Sequence, residues 1–347
     1  MKKIVTFIPT LEPYYDRIIN IQEINRNNGL QAQIFTYNSV IPENLDLDGV
    51  EFFRIPKKFR FIKSFYIIIK LKEWREILVI DWFKATPILG FYARLLKGSK
   101  YYFFPVIADY GFIYNIATRK IRIFPKRYIR IRLVESFREL LIIFCSDKVV
   151  LQSYGLLEYY RKVYKIDINR LDVNHNRFSK NSRPQVVNTT IKRIGIVGNI
   201  EQHKGIDEIL ELALSFTGID FHFYGGGKGV CHRNYVGRIN GLANCYYHGK
   251  LPTDEINKAY EFIDLLLFPS YHEGSPRALL EFLRFNKPVV STILPGLDFI
   301  TNLEDVNLVQ YHDITHMRQI INEYVMKGYN IERDLSQVQT NIIQIGI

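Results

Sequence analysis

The sequence of 347 residues is roughly twice the span of one compact domain and predicts two. Its 47% hydrophobic and 23% charged residues exclude a disordered or collagen-like chain. Net charge is +11, but 19 Lys and Arg against four acids lie between Arg54 and Leu133, which leaves the rest net negative and predicts a face for an anionic partner.

The chain opens with KKIVTFIPT, whose short apolar run reads as a strand and not as a signal peptide. A helix over about Tyr14–Asn28 is stopped by Gly29, and QAQIFTYN and VEFFRIP follow as strands. A basic helical stretch to about Arg75 precedes the strand EILVIDW. A third helical stretch ends near Gly98 before KYYFFPVI, and a helix around Val134–Phe144 leads into DKVVLQS. The longest apolar stretch, ILVIDWFKATPILGFYARLL, is interrupted by Asp81, Lys84 and Arg94. It falls short of the ~18 uncharged apolar residues of a spanning helix, so a soluble protein is expected. Polar RFSKNSRPQVVNTT, Arg177–Thr190, reads as a linker.

The alternation then restarts: RIGIVGN, the helix IDEILELALSF, DFHFYGG, NCYYHG, the helix TDEINKAYEFI, DLLLFPS, the helix PRALLEFLRF, and KPVVST. Strands separated by helices of 10–20 residues mean βαβ units, and continuous apolar strands mean parallel sheets covered on both faces. The expected fold is α/β, with two doubly wound Rossmann-like domains facing a cleft: 1–181, 182–330, and a segment 331–347 returning to the first. In such sheets ligands bind beyond the carboxyl ends of the strands.

One such loop carries Glu273-Gly274, and the following helix is expected to start with Ser275 as N-cap and Pro276 at its first position. Free N–H groups there suit a phosphate, and Gly274 lets backbone approach closely. Glu281 stands off the apolar stripe of Leu279, Leu280 and Leu283. Glu273 and Glu281 within E-G-x-P-x-x-x-L-E, followed by K-P-V-V-S-T, resemble the signature of retaining GT-B glycosyltransferases of the large family four. RIGIVGNIEQHKGIDEILELA is similar to the strand, glycine and Lys-Gly that open that family's C-terminal domain, with Gly198 at the strand end and Lys204-Gly205 leading the helix. The family commonly has Arg after this glycine, where this chain has Asn199.

Gly225 and Gly226 resemble the family's glycine turn. A dinucleotide fingerprint fails because Val230 replaces its last glycine. Lys250 and Leu251 match the family's neighbours of the nucleotide base. The first half resembles the family less closely: no Gly-Gly follows the first strand, and Ala108-Asp109 stand where many members carry His, leaving Asp109 as a substitute contact on the acceptor side.

The resemblance implies a nucleoside-diphosphate-sugar donor, UDP favoured, with Lys204 and the helix start facing the diphosphate, Glu281 the ribose and Glu273 the sugar. It implies no required cofactor and no metal. Asp46-Leu47-Asp48 has the spacing of a metal motif from another glycosyltransferase architecture but falls in a polar turn, and the histidines form no zinc pattern. The three cysteines, Cys145, Cys231 and Cys245, suggest no redox pair or zinc site and point to a reducing compartment.

The acceptor implied is a lipid-linked or lipopolysaccharide-type glycan in bacterial surface polysaccharide biosynthesis. The missing Arg and His leave open a non-catalytic sugar-nucleotide-binding subunit of a synthesis complex. RKIRIFPKRYIRIR places Arg119, Lys120, Arg122, Lys126, Arg127, Arg130 and Arg132 in one acid-free run interleaved with Ile, Phe and Tyr. Without a nucleic-acid motif beside it, this run predicts an anionic membrane surface as partner and a peripheral place on the inner face of the cytoplasmic membrane.

Overall fold

The computed structural model describes residues 3–8, 21–22, 29, 31–37, 49–56, 63–70, 77–81, 91–92, 95, 99–105, 137–174, 187–188, 190–252, 255–271, 273, 276–294, 297, 300–303, 305–333 and 335. The bulk of the chain divides into two compact units, Met1–Arg177 and Phe178–Gln339.

In the first unit seven strands are described: β1 (Lys3–Phe7), β2 (Gln31–Thr36), β3 (Val50–Arg54), β4 (Ile77–Asp81), β5 (Lys100–Phe103), β6 (Lys148–Leu151) and β7 (Leu171–Val173). They form one parallel sheet in the order β3-β2-β1-β4-β5-β6-β7. Side chains alternate between faces along a strand. Val5, Phe7, Val79, Tyr101 and Phe103 accordingly enter one core cluster, and Ile4, Leu78, Ile80 and Tyr102 enter another. Both faces are apolar, which accounts for the unbroken apolar runs in the sequence. Helix α1 (Lys63–Lys70) and helical residues 137–145 lie between strands. α2 (Tyr154–Tyr164) is capped by Ser153, whose side chain accepts from Leu156 N at 3.1 Å.

The second unit opens with β8 (Val187–Asn188), which pairs antiparallel with β15 (Tyr329–Asn330). Part of the expected linker is thus a strand, held by backbone pairing that its polar composition does not announce. The main sheet contains β9 (Arg193–Val197), β10 (Asp220–Tyr224), β11 (Cys245–Gly249), β12 (Leu265–Phe268), β13 (Val289–Thr292) and β14 (Val306–Val309). Its order, β11-β10-β9-β12-β13-β14, is parallel throughout. Connections leave β9 on one side and reach β12 on the other, so the topology reverses between these two strands and opens a crevice at their carboxyl ends.

The connecting helices are α3 (Ile206–Ser215), α4 (Gly229–Asn240), α5 (Ile256–Phe262) and α6 (Arg277–Leu283), with α7 (Ile314–Lys327) after β14. Ile194, Ile196, Leu265 and Leu267 join the core beneath α3. Leu266, Phe268, Leu279, Leu280 and Leu283 form the opposite core with α6.

Two cations close helix ends here. Lys287 Nζ donates to the carbonyls of Tyr260, Glu261 and Ile263 at 3.0, 2.6 and 2.6 Å, terminating α5. Arg333 donates to Leu283 O at 3.0 Å behind α6 and to Lys287 O at 2.7 Å. Most of the segment expected to return to the first domain, 331–347, lies outside the described residues.

Candidate functional site

Gly198 follows β9 at φ +150°, and its N–H donates to Tyr224 O at 2.9 Å. Ile200 N donates to Gly226 O at 2.7 Å, so the loops after β9 and β10 are stitched together. A Cβ on Gly225 would stand 1.7 Å from the Gly198 carbonyl oxygen, which only glycine avoids. These glycines build a close backbone approach at the sheet's carboxyl edge.

The loop continues through a single turn, Gln202–Lys204, to Gly205 at φ +71°. Here a Cβ would meet Pro269 O at 2.4 Å. The requirement for glycine therefore comes from two sources, a left-handed backbone and the loop after β12 pressed against it. Tyr271 N donates to His203 O at 2.8 Å across the same junction. At its tip Lys204 Nζ donates to Glu273 Oε1, joining residues 69 apart in sequence. The two side chains are 17% and 13% exposed, and the ammonium stands 5.6 Å above the Phe268 ring. An ammonium and a carboxylate held at a topological switch point form a polar pair that a ligand with both phosphate and hydroxyl groups can address.

Pro276 occupies the cap position of α6 instead of its first helical position. Its ψ of 97° is extended, so the helix starts at Arg277 and the expected Ser275 cap is shifted by one residue. Glu281 emerges from α6 between the buried Leu280 and Phe282. Tyr260 on α5 donates its hydroxyl to Glu281 Oε2 at 3.2 Å, and Arg277 stands 3.8 Å from Oε1. Burial, then the Glu281 carboxylate, push the Tyr260 phenol above its ordinary range, so it stays a donor. Tyr260 was not singled out in the sequence because nothing in an apolar helix position signals a partner on the next helix.

Asn199 is exposed on the same loop as Lys204; its backbone carbonyl accepts from Glu201 N at 3.0 Å. Lys250 is exposed after Gly249, which has φ +73°. Leu251 lines an open pocket of about 370 Å³ with Tyr224, His248 and Phe262. The Tyr224 and His248 rings stack at 4.5 Å, and His222 Nδ1 meets His248 Nε2 at 3.0 Å. Burial lowers the pKa of both imidazoles, with each other's charge a further cause at His222. This ring cluster also escaped sequence reading, because alternate residues on two strands meet only after the strands pair.

Gly274, Ser275, His272, Asp109, Asp46-Leu47-Asp48 and the basic residues 119–132 lie outside the described residues. Among the described residues, no group of three or more His, Cys, Asp or Glu is placed to hold a metal ion, and no helix is long and apolar enough to cross a membrane.

Residues 191–326, which include Lys204, Glu273 and Glu281, match the sequence model described as Glycosyl transferases group 1. The processive diacylglycerol alpha-glucosyltransferase of Acholeplasma laidlawii is 27% identical over 259 residues, covering 70% of this chain and 67% of that protein. Sucrose-phosphate synthase from Thermosynechococcus elongatus has a TM-score of 0.71 at 16% identity, covering 98% of this chain and 92% of that one. HepE of Anabaena, solved in complex with UDP-glucose, has a TM-score of 0.67 at 14% identity, covering 97% and 92% of the two chains. With two Rossmann-like sheets and this match to the second, the chain is a hexosyltransferase-type enzyme of GT-B architecture whose residues 191–326 match the glycosyl transferases group 1.

Proposed function

We propose that this enzyme transfers a hexose, with retention of anomeric configuration, from a UDP-sugar to a lipid-linked or glycolipid acceptor in bacterial surface-glycan synthesis. The meeting of Lys204 and Glu273 at the switch point carries the reading. Breaking the sugar–phosphate bond builds negative charge on the departing diphosphate. Lys204 stabilises that charge, and the start of α6 adds its positive end. Freed from Lys204, Glu273 accepts hydrogen bonds from hydroxyls of the transferred sugar. Glu281, five residues past the Pro276 cap and about 7.5 Å along the helix axis, takes the ribose hydroxyls. Leu251 and its pocket adjoin the base. No metal is needed in this scheme, because Lys204 supplies the counter-charge.

UDP is supported by HepE, which was solved with UDP-glucose, and a lipid acceptor by the A. laidlawii relative, whose name is that of a diacylglycerol glucosyltransferase. The acid-free basic run 119–132 supports work at the cytoplasmic face of an anionic membrane. So does the helix 137–145, on which Phe137, Leu140, Leu141 and Phe144 are exposed at helical spacing.

A thermal-shift panel of UDP-, GDP- and ADP-sugars tests the donor, with UDP-sugars expected to raise the melting temperature most and EDTA expected to leave turnover intact. A flat panel would contradict the reading. NMR of the product anomer tests retention. Co-sedimentation with anionic vesicles is expected to exceed that with neutral ones and to weaken with salt; equal sedimentation with both would remove the membrane from the account.

A further inference from the structure

The loop that carries Glu273 holds a second polar contact, two residues before it. Glu208, in the first turn of α3, is 5% exposed, and its Oε1 accepts from the Tyr271 hydroxyl. The same oxygen faces His312 Nδ1, on the segment after β14. The Tyr271 and His312 rings lie 4.7 Å apart, and His312 holds a left-handed backbone at φ +60°. Three elements far apart in sequence therefore converge on one buried carboxylate. Burial, reinforced by Glu208, raises the Tyr271 phenol above its ordinary range and keeps it a proton donor.

Tyr271 stands two residues before Glu273, and its own N–H is bonded to His203 O, next to Lys204. The residue is thus fixed at both ends: its backbone to the Lys204 loop, its side chain to α3. Thr292 Oγ1 donates to Ser270 O and holds the preceding residue of the loop. A side chain that serves only to fill the core needs no hydroxyl at this position. One that must hold a catalytic loop in register does.

We infer that Glu208 is a positioning residue, which together with His312 anchors the Tyr271 hydroxyl so that Glu273 is presented to the transferred sugar beside Lys204. The inference rests on the glycosyl-transfer reading above and adds to it the group that aligns Glu273. Lys204 keeps its own backbone tie when the hydroxyl is lost, so the nucleotide and sugar ends of the donor should respond differently.

The test uses Tyr271→Phe, which deletes the hydroxyl and keeps the ring. The readouts are UDP affinity, kcat for donor hydrolysis or transfer, and amide exchange of residues 269–273. The expected result is unchanged UDP affinity, a kcat lowered about tenfold or more, and faster exchange confined to that loop. Glu208→Gln, which retains an acceptor oxygen, should lose less than Glu208→Leu. Tyr271→Phe combined with Glu208→Leu should be little worse than Glu208→Leu alone. Unaltered kcat and loop exchange in Tyr271→Phe would overturn the inference, as would additive losses in the double variant. A wild type that binds no nucleotide or nucleotide sugar would instead overturn the functional reading, while the exchange data would still decide whether Tyr271 anchors the loop.

Discussion

Lys204 and Lys287 are both enclosed lysines of the second unit, and both stand in segments that resemble family motifs, K-G and K-P-V-V. Their partners separate them. Lys204 meets one carboxylate, Glu273, at the carboxyl edge of the sheet. Lys287 is 4% exposed and meets three backbone carbonyls at the end of α5. Burial pushes the Lys287 ammonium down to about 8, still charged at neutral pH. A lysine paired with a single carboxylate side chain can exchange it for a phosphate. One that terminates a helix has no free partner to trade, and moving it would take the charged donor from three backbone carbonyls, two of them in buried contacts. Two lysines in separate family-like segments thus differ in whether a ligand could replace their partners.

That division is broken most severely by Lys287→Met. Loss of three charge-assisted bonds to backbone carbonyls at the end of α5 should cost about 3 kcal/mol or more of stability, read as a lower denaturation midpoint, while the folded fraction keeps its donor affinity. Wild-type stability would mean that Lys287 does not cap α5.

Glu281→Gln sharpens the comparison from the site side. The Tyr260 hydroxyl keeps an acceptor, so the fold should hold, but the proposed ribose contact loses its charge. Donor affinity should fall about tenfold with an unchanged melting temperature. Unchanged affinity would separate Glu281 from the donor.

Sequence spacing made a good part of this legible. The apolar runs located the strands because both sheet faces are buried, and the signature residues pointed to Lys204, Glu273 and Glu281. The role of Lys287 was not legible, since a helix end built from Tyr260, Glu261 and Ile263 is brought to it only by the crossover between β12 and β13. Glu208, Tyr271 and His312 were equally silent: the contacts span 63 and 104 residues, and no local periodicity encodes them. At Ser275-Pro276 the residue preferences were read correctly as a helix start, but the extended ψ of Pro276 moved the start by one position.

A smaller effect belongs to the His222–His248 pair. Both imidazoles have folded pKa values below the ordinary 6.5. As pH falls through about 6.5 the unfolded chain takes up protons before the folded one, so this contribution to stability is present above that pH and lost below it. The denaturation midpoint should decline between about pH 7.5 and pH 5, and His222→Phe should flatten the decline. An identical pH slope in the variant would exclude the pair as its source.

In the proposed mechanism Lys204, at the switch point, holds the donor's diphosphate. Calorimetric titration of UDP into wild type and Lys204→Ala tests it most directly, with thermal unfolding of both as the control for folding. Equal unfolding temperatures are expected, with UDP binding weakened about 10- to 150-fold, equivalent to ~1.5–3 kcal/mol for a charge-assisted contact. Equal UDP affinity in the two proteins would contradict it.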